Sequence, residues 1–204
     1  MSNIAILGAT GRAGSQLLEE ALRRGHTVTA IARNASALQG RAGVKAVSLD
    51  VLDAQALARA LAGHDAVLSA THFSTVPPQA VIGPVKEAGV PRLLVVGGAG
   101  SLEVAPGKRV LDLPDFPAEY KAEATAGAAF LEALRKEPGL DWTFLSPSAE
   151  FVEGERTGAF RLGQDTLLSD AVGRSWISFA DFAIALINEL EAPAHSRKRF
   201  TVGY

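Results

Sequence analysis

Short apolar runs rich in β-branched residues alternate with helical patterns along the first two thirds of this chain of 204 residues. Each run is continuous and is bounded by glycine, aspartate or proline, which is typical of strands buried on both faces of a sheet. The runs are Ile4–Leu7, Thr27–Ala32, Val44–Leu49, Ala66–Ala70, Leu93–Val96 and Trp142–Leu145. Because helices separate them, right-handed crossovers are required, and we predict an α/β fold with a doubly wound parallel sheet covered by helices on both faces.

The helical segments show amphipathic periodicity and recognisable ends. The predicted helices are Arg12–Arg24, Asp53 as N-cap to Gly63, Pro78–Ala88 and Ala118–Lys136. A last helix follows Ser178, because Ser178-Phe179-Ala180-Asp181 has the pattern of a capping box. The basic run Arg197-Lys198-Arg199 is expected to form a solvated turn before a final strand.

Length and composition predict one domain, residues 1–204, in which the less regular stretch 147–173 forms a small elaboration over the substrate side. A hydrophobic fraction of 48% excludes a disordered chain, and a net charge of −2 provides no field that would attract nucleic acid or anionic lipid. Cysteine is absent, and no His/Asp/Glu cluster has metal-ligand spacing, so we expect no metal site. No signal-type or membrane-spanning run occurs, and we expect a cytoplasmic monomer or homodimer.

The first strand enters the first helix through the turn Gly8-Ala9-Thr10-Gly11-Arg12-Ala13-Gly14. A pyrophosphate at a helix N-terminus needs free backbone N–H groups without a Cβ in the way, and a third glycine lets the helix lie close to the strand. The spacing is G-x-x-G-x-x-G, where the standard dehydrogenase fingerprint has G-x-G-x-x-G. We predict a dinucleotide site, the alternative being a tight turn for packing only. The predicted contacts are Gly8, Thr10, Gly11, Arg12, Ala13 and Gly14.

The end of the second strand predicts which dinucleotide binds. An acidic residue there would bond the ribose 2′-hydroxyl of NAD, but this strand is followed by Arg33. A guanidinium can pair bidentately with a 2′-phosphate, and such a bond is worth roughly 1.5–3 kcal/mol. We therefore predict NADP(H) as the preferred cofactor and NAD(H) as the alternative, with Arg12 as a second clamp. The other interpretation of Arg33 is a solvated loop arginine.

The third, fourth and sixth strands complete the predicted cofactor site. Asp50 is free to accept a hydrogen bond from the adenine amino group, since Asp53 already serves as a helix cap, and Val51 would lie against the ring. The remaining predicted contacts are Ala70, Thr71 and Pro147.

Several motifs together resemble the atypical short-chain dehydrogenases that carry the name NADH-flavin reductase, which are close to NmrA-like proteins and to the biliverdin reductase B group. The motifs are Gly8–Gly14, Asp50-Val51, Val96–Leu102, Asp141–Pro147, Gly154–Gly158, Ser175–Ala183 and Arg199–Tyr204. The resemblance covers nearly the whole chain and implies a Rossmann fold, NAD(P)H binding and flavin reduction. It also admits a redox sensor that binds the dinucleotide without turnover. Glu153 departs from it, since proline often stands at this position in that family.

The Tyr-x-x-x-Lys dyad of typical short-chain dehydrogenases is absent. The two tyrosines are Tyr120, followed four positions later by Ala124, and Tyr204, after which the sequence has no further residue. This absence counts against standard alcohol or ketone chemistry. Lys121 follows Tyr120 directly, and neighbours on a helix point about 100° apart, so we expect only one of the two to face the site.

Flavin reduction makes smaller demands on the protein, because the acceptor chemistry resides in the flavin itself. We predict a flavin or similar planar conjugated acceptor, bound as a substrate and not as a resident cofactor. The residues predicted to line its site are His72, Phe73, Ser101, Pro147 and Phe151. The predicted catalytic residues are Ser101 as a donor to an acceptor carbonyl, His72 as a proton donor, Tyr120 and Lys121.

For these residues, interpretations without a catalytic or binding role also stay open. Ser101 could only end a turn, His72 could only be solvated, and Phe151 could belong to the core. Two other functions also stay open. One is a non-catalytic redox sensor that presents a surface to a partner protein, and the other is an atypical reductase or isomerase of a small carbonyl metabolite with Tyr120 or Lys121 as its acid.

Overall fold

The protein is built around a central sheet of eight strands. The structure is a computed structural model that describes residues 1–204. The strands of the chain are β1 Asn3–Leu7, β2 Thr27–Ala32, β3 Val44–Ser48, β4 Ala66–Ser69, β5 Arg92–Val96, β6 Glu103–Ala105, β7 Lys108–Arg109, β8 Asp141–Ser146, β9 Glu150–Val152, β10 Arg161–Gly163, β11 Trp176–Ser178 and β12 Lys198–Gly203. The central order is β3-β2-β1-β4-β5-β8-β12-β10, parallel except for β10, which pairs antiparallel with β12. Two-stranded ribbons β6-β7 and β9-β11 complete the strands.

Helices cover both faces of this sheet. They are α1 Arg12–Arg23, α2 Ala54–Leu61, α3 Pro78–Glu87, α4 Ala118–Arg135 and α5 Phe179–Glu191. Apolar residues of α1 and α5 pack on one face, and those of α2, α3 and α4 pack on the other. The predicted Rossmann-like, doubly wound fold is confirmed. None of these helices combines the length and the apolar character needed to cross a membrane.

The six predicted strands are confirmed to within one residue at each end. Both predicted N-caps are confirmed, since Asp53 accepts from the Ala56 N–H at 3.0 Å and Ser178 accepts from the Asp181 N–H at 3.0 Å. The reciprocal bond of a capping box does not form at Ser178, because the Asp181 carboxylate accepts from Thr157 and Gly158. The stretch 147–173 contains the short strands β9 and β10. The expectation of a solvated turn is wrong for Arg199, which lies buried in β12 with its Nε 2.7 Å from the Asp165 carboxylate.

Buried carboxylates of α1 and α5 hold part of the stretch 147–173 in place. Glu20 of α1 accepts from Arg156 Nε and Nη2 at 2.8 and 2.9 Å, and from Arg24 Nε at 2.8 Å. Asp181 of α5 accepts from the backbone N–H groups of Thr157 and Gly158 at 2.8 and 2.9 Å. These bonds hold the motif Gly154–Gly158 against α1 and α5.

Replacing Glu20 with glutamine should lower the free energy of unfolding at neutral pH by about 3 kcal/mol. Hydrogen bonds from Arg156, opposed by burial and helped by Arg24, lower the pKa of Glu20 from 4.5 to about 2. Because the folded-state pKa is depressed, this stabilisation is present above pH 4.5 and is lost as the pH falls towards about 2. Urea titrations of wild type and Glu20→Gln across that range should therefore converge at low pH.

Glu19→Gln is the matched control. Glu19 lies next to Glu20 on α1 and pairs with Arg41 at 2.6 Å, but its side chain is half exposed. Its effect should stay below about 1 kcal/mol, as for other surface pairs. Equal losses in the two variants would show that the Glu20 contacts contribute no more than a surface ion pair.

Candidate dinucleotide site and acceptor pocket

The glycine turn brings bare backbone together at the start of α1. Gly8 has φ +77°, and a Cβ added there would lie 2.5 Å from the Ala70 carbonyl oxygen. A Cβ on Gly14 would lie 2.1 Å from the Gly8 carbonyl oxygen, so α1 approaches the turn more closely than any side chain allows. No acidic residue stands in the first turn of α1, whose positive dipole end is therefore free for an anion. This cradle fits a dinucleotide pyrophosphate.

A cleft of about 280 Å³, which we call the glycine cleft, opens beside this turn at the carboxyl ends of the first four strands. Eight of the twelve predicted cofactor contacts line it: Gly8, Thr10, Gly11, Arg33, Asp50, Val51, Ala70 and Thr71. Arg33 is the only arginine or lysine in the lining. Asp50 accepts from the Leu52 N–H at 3.0 Å through Oδ1, which orients its carboxylate at the end of β3.

The other four predicted contacts lie elsewhere. Arg12 lines an adjoining cleft, where its guanidinium lies 5.5 Å over the Phe179 ring. Arg12 therefore does not line the glycine cleft together with Arg33. Ala13 and Gly14 belong to the first turn of α1, and Pro147 is buried behind the end of β8.

A second cavity of about 440 Å³, the apolar pocket, lies where β5 and β8 end beside the start of α4. Its lining is Phe73, Gly97, Gly98, Ala99, Gly100, Val110, Leu113, Asp115, Phe116, Pro117, Tyr120, Glu123, Ala124, Ala149 and Glu150. Two of these glycines pack closely against neighbouring side chains. A Cβ on Gly97 would lie 2.3 Å from the Phe144 ring, and one on Gly100 would lie 2.7 Å from the Ala124 Cβ. More than half of the lining residues are hydrophobic, as is typical of pockets that bind small molecules.

The structure separates the predicted catalytic residues. Tyr120 is 62% exposed and lines the apolar pocket, while the exposed Lys121 does not. His72 lines the glycine cleft. Ser101 lies outside both cavities, along α4, where Arg199 Nη1 donates to its Oγ at 3.3 Å.

The two aromatic residues predicted near the acceptor belong mainly to the core. Phe73 is buried with its ring centroid 5.2 Å from that of Phe130, and it lines the apolar pocket. Phe151 packs 4.3 Å from Phe179 and 4.7 Å from Phe182, measured between ring centroids. Neither ring stands free as a platform for a ligand.

Glu123 is the residue at this site that the sequence did not reveal. Its carboxylate accepts from the N–H groups of Phe73 and Ser74 at 2.7 and 2.8 Å, and it lies 3.7 Å from His72 Nδ1. Burial acts to raise the pKa of Glu123, but the bonds from Ser74 and Phe73 outweigh it and leave the pKa below its ordinary value. Glu123 thus fixes the loop after β4 between the two cavities. Its partners lie about 50 residues away, so no local pattern indicates the contact.

The comparison with protein families agrees with this geometry. A profile of the NAD(P)H-binding family matches residues 8–193. The chain belongs to this family. The NAD(P)H-binding match begins at Gly8, the first glycine of the cradle, and it confirms the family suggested by the sequence motifs.

Relatives of this NAD(P)H-binding protein match it over almost their full length. It is 44% identical to the uncharacterized protein YwnB of Bacillus subtilis, covering 98% of this chain and 97% of YwnB. A solved structure of a proposed exported protein from Burkholderia pseudomallei is 44% identical, with 100% of both chains covered and a TM-score of 0.92. A proposed NADH-flavin reductase from Streptococcus pneumoniae is 37% identical, with 100% and 99% covered and a TM-score of 0.86. Because one relative is named as exported, a cytoplasmic location stays a prediction.

Proposed function

We propose that this protein is an NADPH-dependent reductase that reduces a flavin or a similar planar conjugated acceptor. The observation that carries the proposal is the convergence of eight predicted cofactor contacts on the glycine cleft, next to an apolar pocket with an aromatic wall. The name of the Streptococcus pneumoniae relative supports the same class of reaction.

Each part of the chain has a separate task in this proposal. The N–H groups at the start of α1 bind the pyrophosphate, Arg33 pairs with the 2′-phosphate, and Asp50 accepts from the adenine amino group. The bound nicotinamide supplies a hydride to the acceptor. The protein orients the two partners and excludes water, with Phe116 and Tyr120 forming the wall of the acceptor site.

The missing Tyr-x-x-x-Lys dyad agrees with this division of work. Ala124 stands where the lysine would be and lines the apolar pocket, so no ammonium group supports Tyr120 from its own helix face. A flavin needs no such acid, because its own ring nitrogen accepts the hydride. Tyr120 therefore serves as a ring wall in this proposal.

Turnover with riboflavin tests the assignment. Tyr120→Ala should raise the riboflavin KM by about five- to tenfold, because the stacking wall is lost, while Lys121→Ala should leave the kinetics unchanged. The measurement is the initial rate of NADPH oxidation with and without riboflavin. If Tyr120→Phe abolished the rate while riboflavin still bound, Tyr120 would be an acid and carbonyl chemistry would replace flavin reduction.

A further inference from the structure

The charged groups of the apolar pocket all have one sign. The lining contains three carboxylates, Asp115, Glu123 and Glu150, and no lysine, arginine or histidine. The remaining lining is apolar or aromatic, apart from backbone and the Tyr120 hydroxyl. The charged side chains that line the pocket are therefore all acidic, and none is cationic.

The three carboxylates differ in how far their charge is compensated. Glu150 accepts from Arg174 Nη2 at 2.6 Å, and that guanidinium is itself stacked 4.4 Å over the Trp176 ring. Glu123 is bound by backbone N–H groups, with His72 Nδ1 3.7 Å away. Asp115 is exposed and forms no salt bridge. Its charge stands at the mouth of the pocket without a counterion from the chain.

We propose that the acceptor of this pocket is a planar aromatic molecule that is uncharged or cationic and bears no phosphate or carboxylate. The inference rests on the proposed function, because it specifies the acceptor of the same site. A doubly charged phosphate held about 8 Å from one carboxylate in water loses about fivefold in affinity. Aromatic walls and carboxylates favour a cation for the same electrostatic reason.

Riboflavin and FMN form a matched pair of probes, since they share the isoalloxazine ring and the ribityl chain and differ by the phosphate. Their dissociation constants can be measured by quenching of flavin fluorescence on protein saturated with NADP+, without turnover. We expect riboflavin to bind at least about fivefold more tightly than FMN at low salt, and the ratio to shrink at high salt.

Charge reversal at one position identifies the source of the discrimination. Asp115→Lys should bring FMN to parity with riboflavin or make it the tighter ligand. Glu87→Lys is the control, because Glu87 is exposed at the end of α3 and does not line the apolar pocket, and the substitution changes the net charge equally. The control should keep the wild-type ratio.

The outcomes separate the two claims. If FMN bound to the wild type as tightly as riboflavin does, the proposed charge selectivity would be overturned, while the proposed reductase activity would be unaffected. A ratio unchanged in Asp115→Lys would overturn the assignment to this pocket. If neither flavin bound, the flavin reductase and the inference that rests on it would both fall.

Discussion

Gly14→Ala should destabilise the fold and weaken NADPH binding at the same time. The added Cβ would meet the Gly8 carbonyl oxygen at 2.1 Å and the Ala9 Cα at 3.1 Å, and these are backbone atoms that cannot rotate away. Because α1 must move outward, the N–H groups of its first turn would move away from the proposed pyrophosphate position. We expect a loss of about 3 kcal/mol in the free energy of unfolding and a loss of at least about tenfold in NADPH affinity.

Gly83→Ala is the matched control for this prediction. Gly83 lies within α3, and a Cβ added there would have nothing within 4 Å. Because Pro84 follows directly, an alanine at this position loses most of its helix advantage over glycine, so we expect the free energy of unfolding to change by less than about 1 kcal/mol and NADPH affinity to stay unchanged. Thermal unfolding and fluorescence titration with NADPH measure the two quantities. Wild-type affinity in Gly14→Ala would place the pyrophosphate away from the start of α1.

Arg33→Asp should reverse the cofactor preference. The substitution removes a charge-assisted pair worth roughly 1.5–3 kcal/mol and sets a carboxylate against the 2′-phosphate. NADPH affinity should therefore fall by about tenfold to a hundredfold, while NADH gains an acceptor for its ribose 2′-hydroxyl. The measurement is the ratio of the two dissociation constants, obtained by titration of each reduced cofactor.

Arg59→Asp provides the control for net charge, since Arg59 is exposed on α2 and does not line the glycine cleft. Its ratio of dissociation constants should equal that of the wild type. An unchanged ratio in Arg33→Asp would show that Arg33 is a solvated loop arginine and would remove the reason for preferring NADPH.

The strands were predictable because burial on both faces leaves a local record. Leu93–Val96 is a continuous apolar run between Arg92 and Gly97, all four residues are buried, and the structure moves one end by one residue. Val44–Leu49 is the exception, because β3 is an edge strand in which Lys45 and Ser48 are exposed. The glycine cradle was predictable because the turn lies between a strand and a helix that are both evident in the sequence. Parallel strands then bring their carboxyl ends to one edge, which gathers Arg33, Asp50 and Thr71 around the glycine cleft.

The acceptor side was less predictable because its contacts span long distances in sequence. Glu123 bonds backbone 50 and 49 residues away, and Arg199 reaches Ser101 across 98 residues. Ser101 follows a strand end, as the prediction requires, but the short helical turn that contains it directs its side chain along α4. β9 and β10 have three residues each, too few for a period to be read, and they form because distant strands pair with them.

Anaerobic single-turnover mixing tests the central claim most directly. Protein loaded with NADPH is mixed with riboflavin, and the absorbance of the nicotinamide and of the oxidised flavin is followed together. The account predicts that both bands decay with one rate constant, above the rate without protein, and that loading with NADH gives a slower reaction. If NADPH stayed bound and the flavin remained oxidised, the protein would be a dinucleotide sensor and not a reductase.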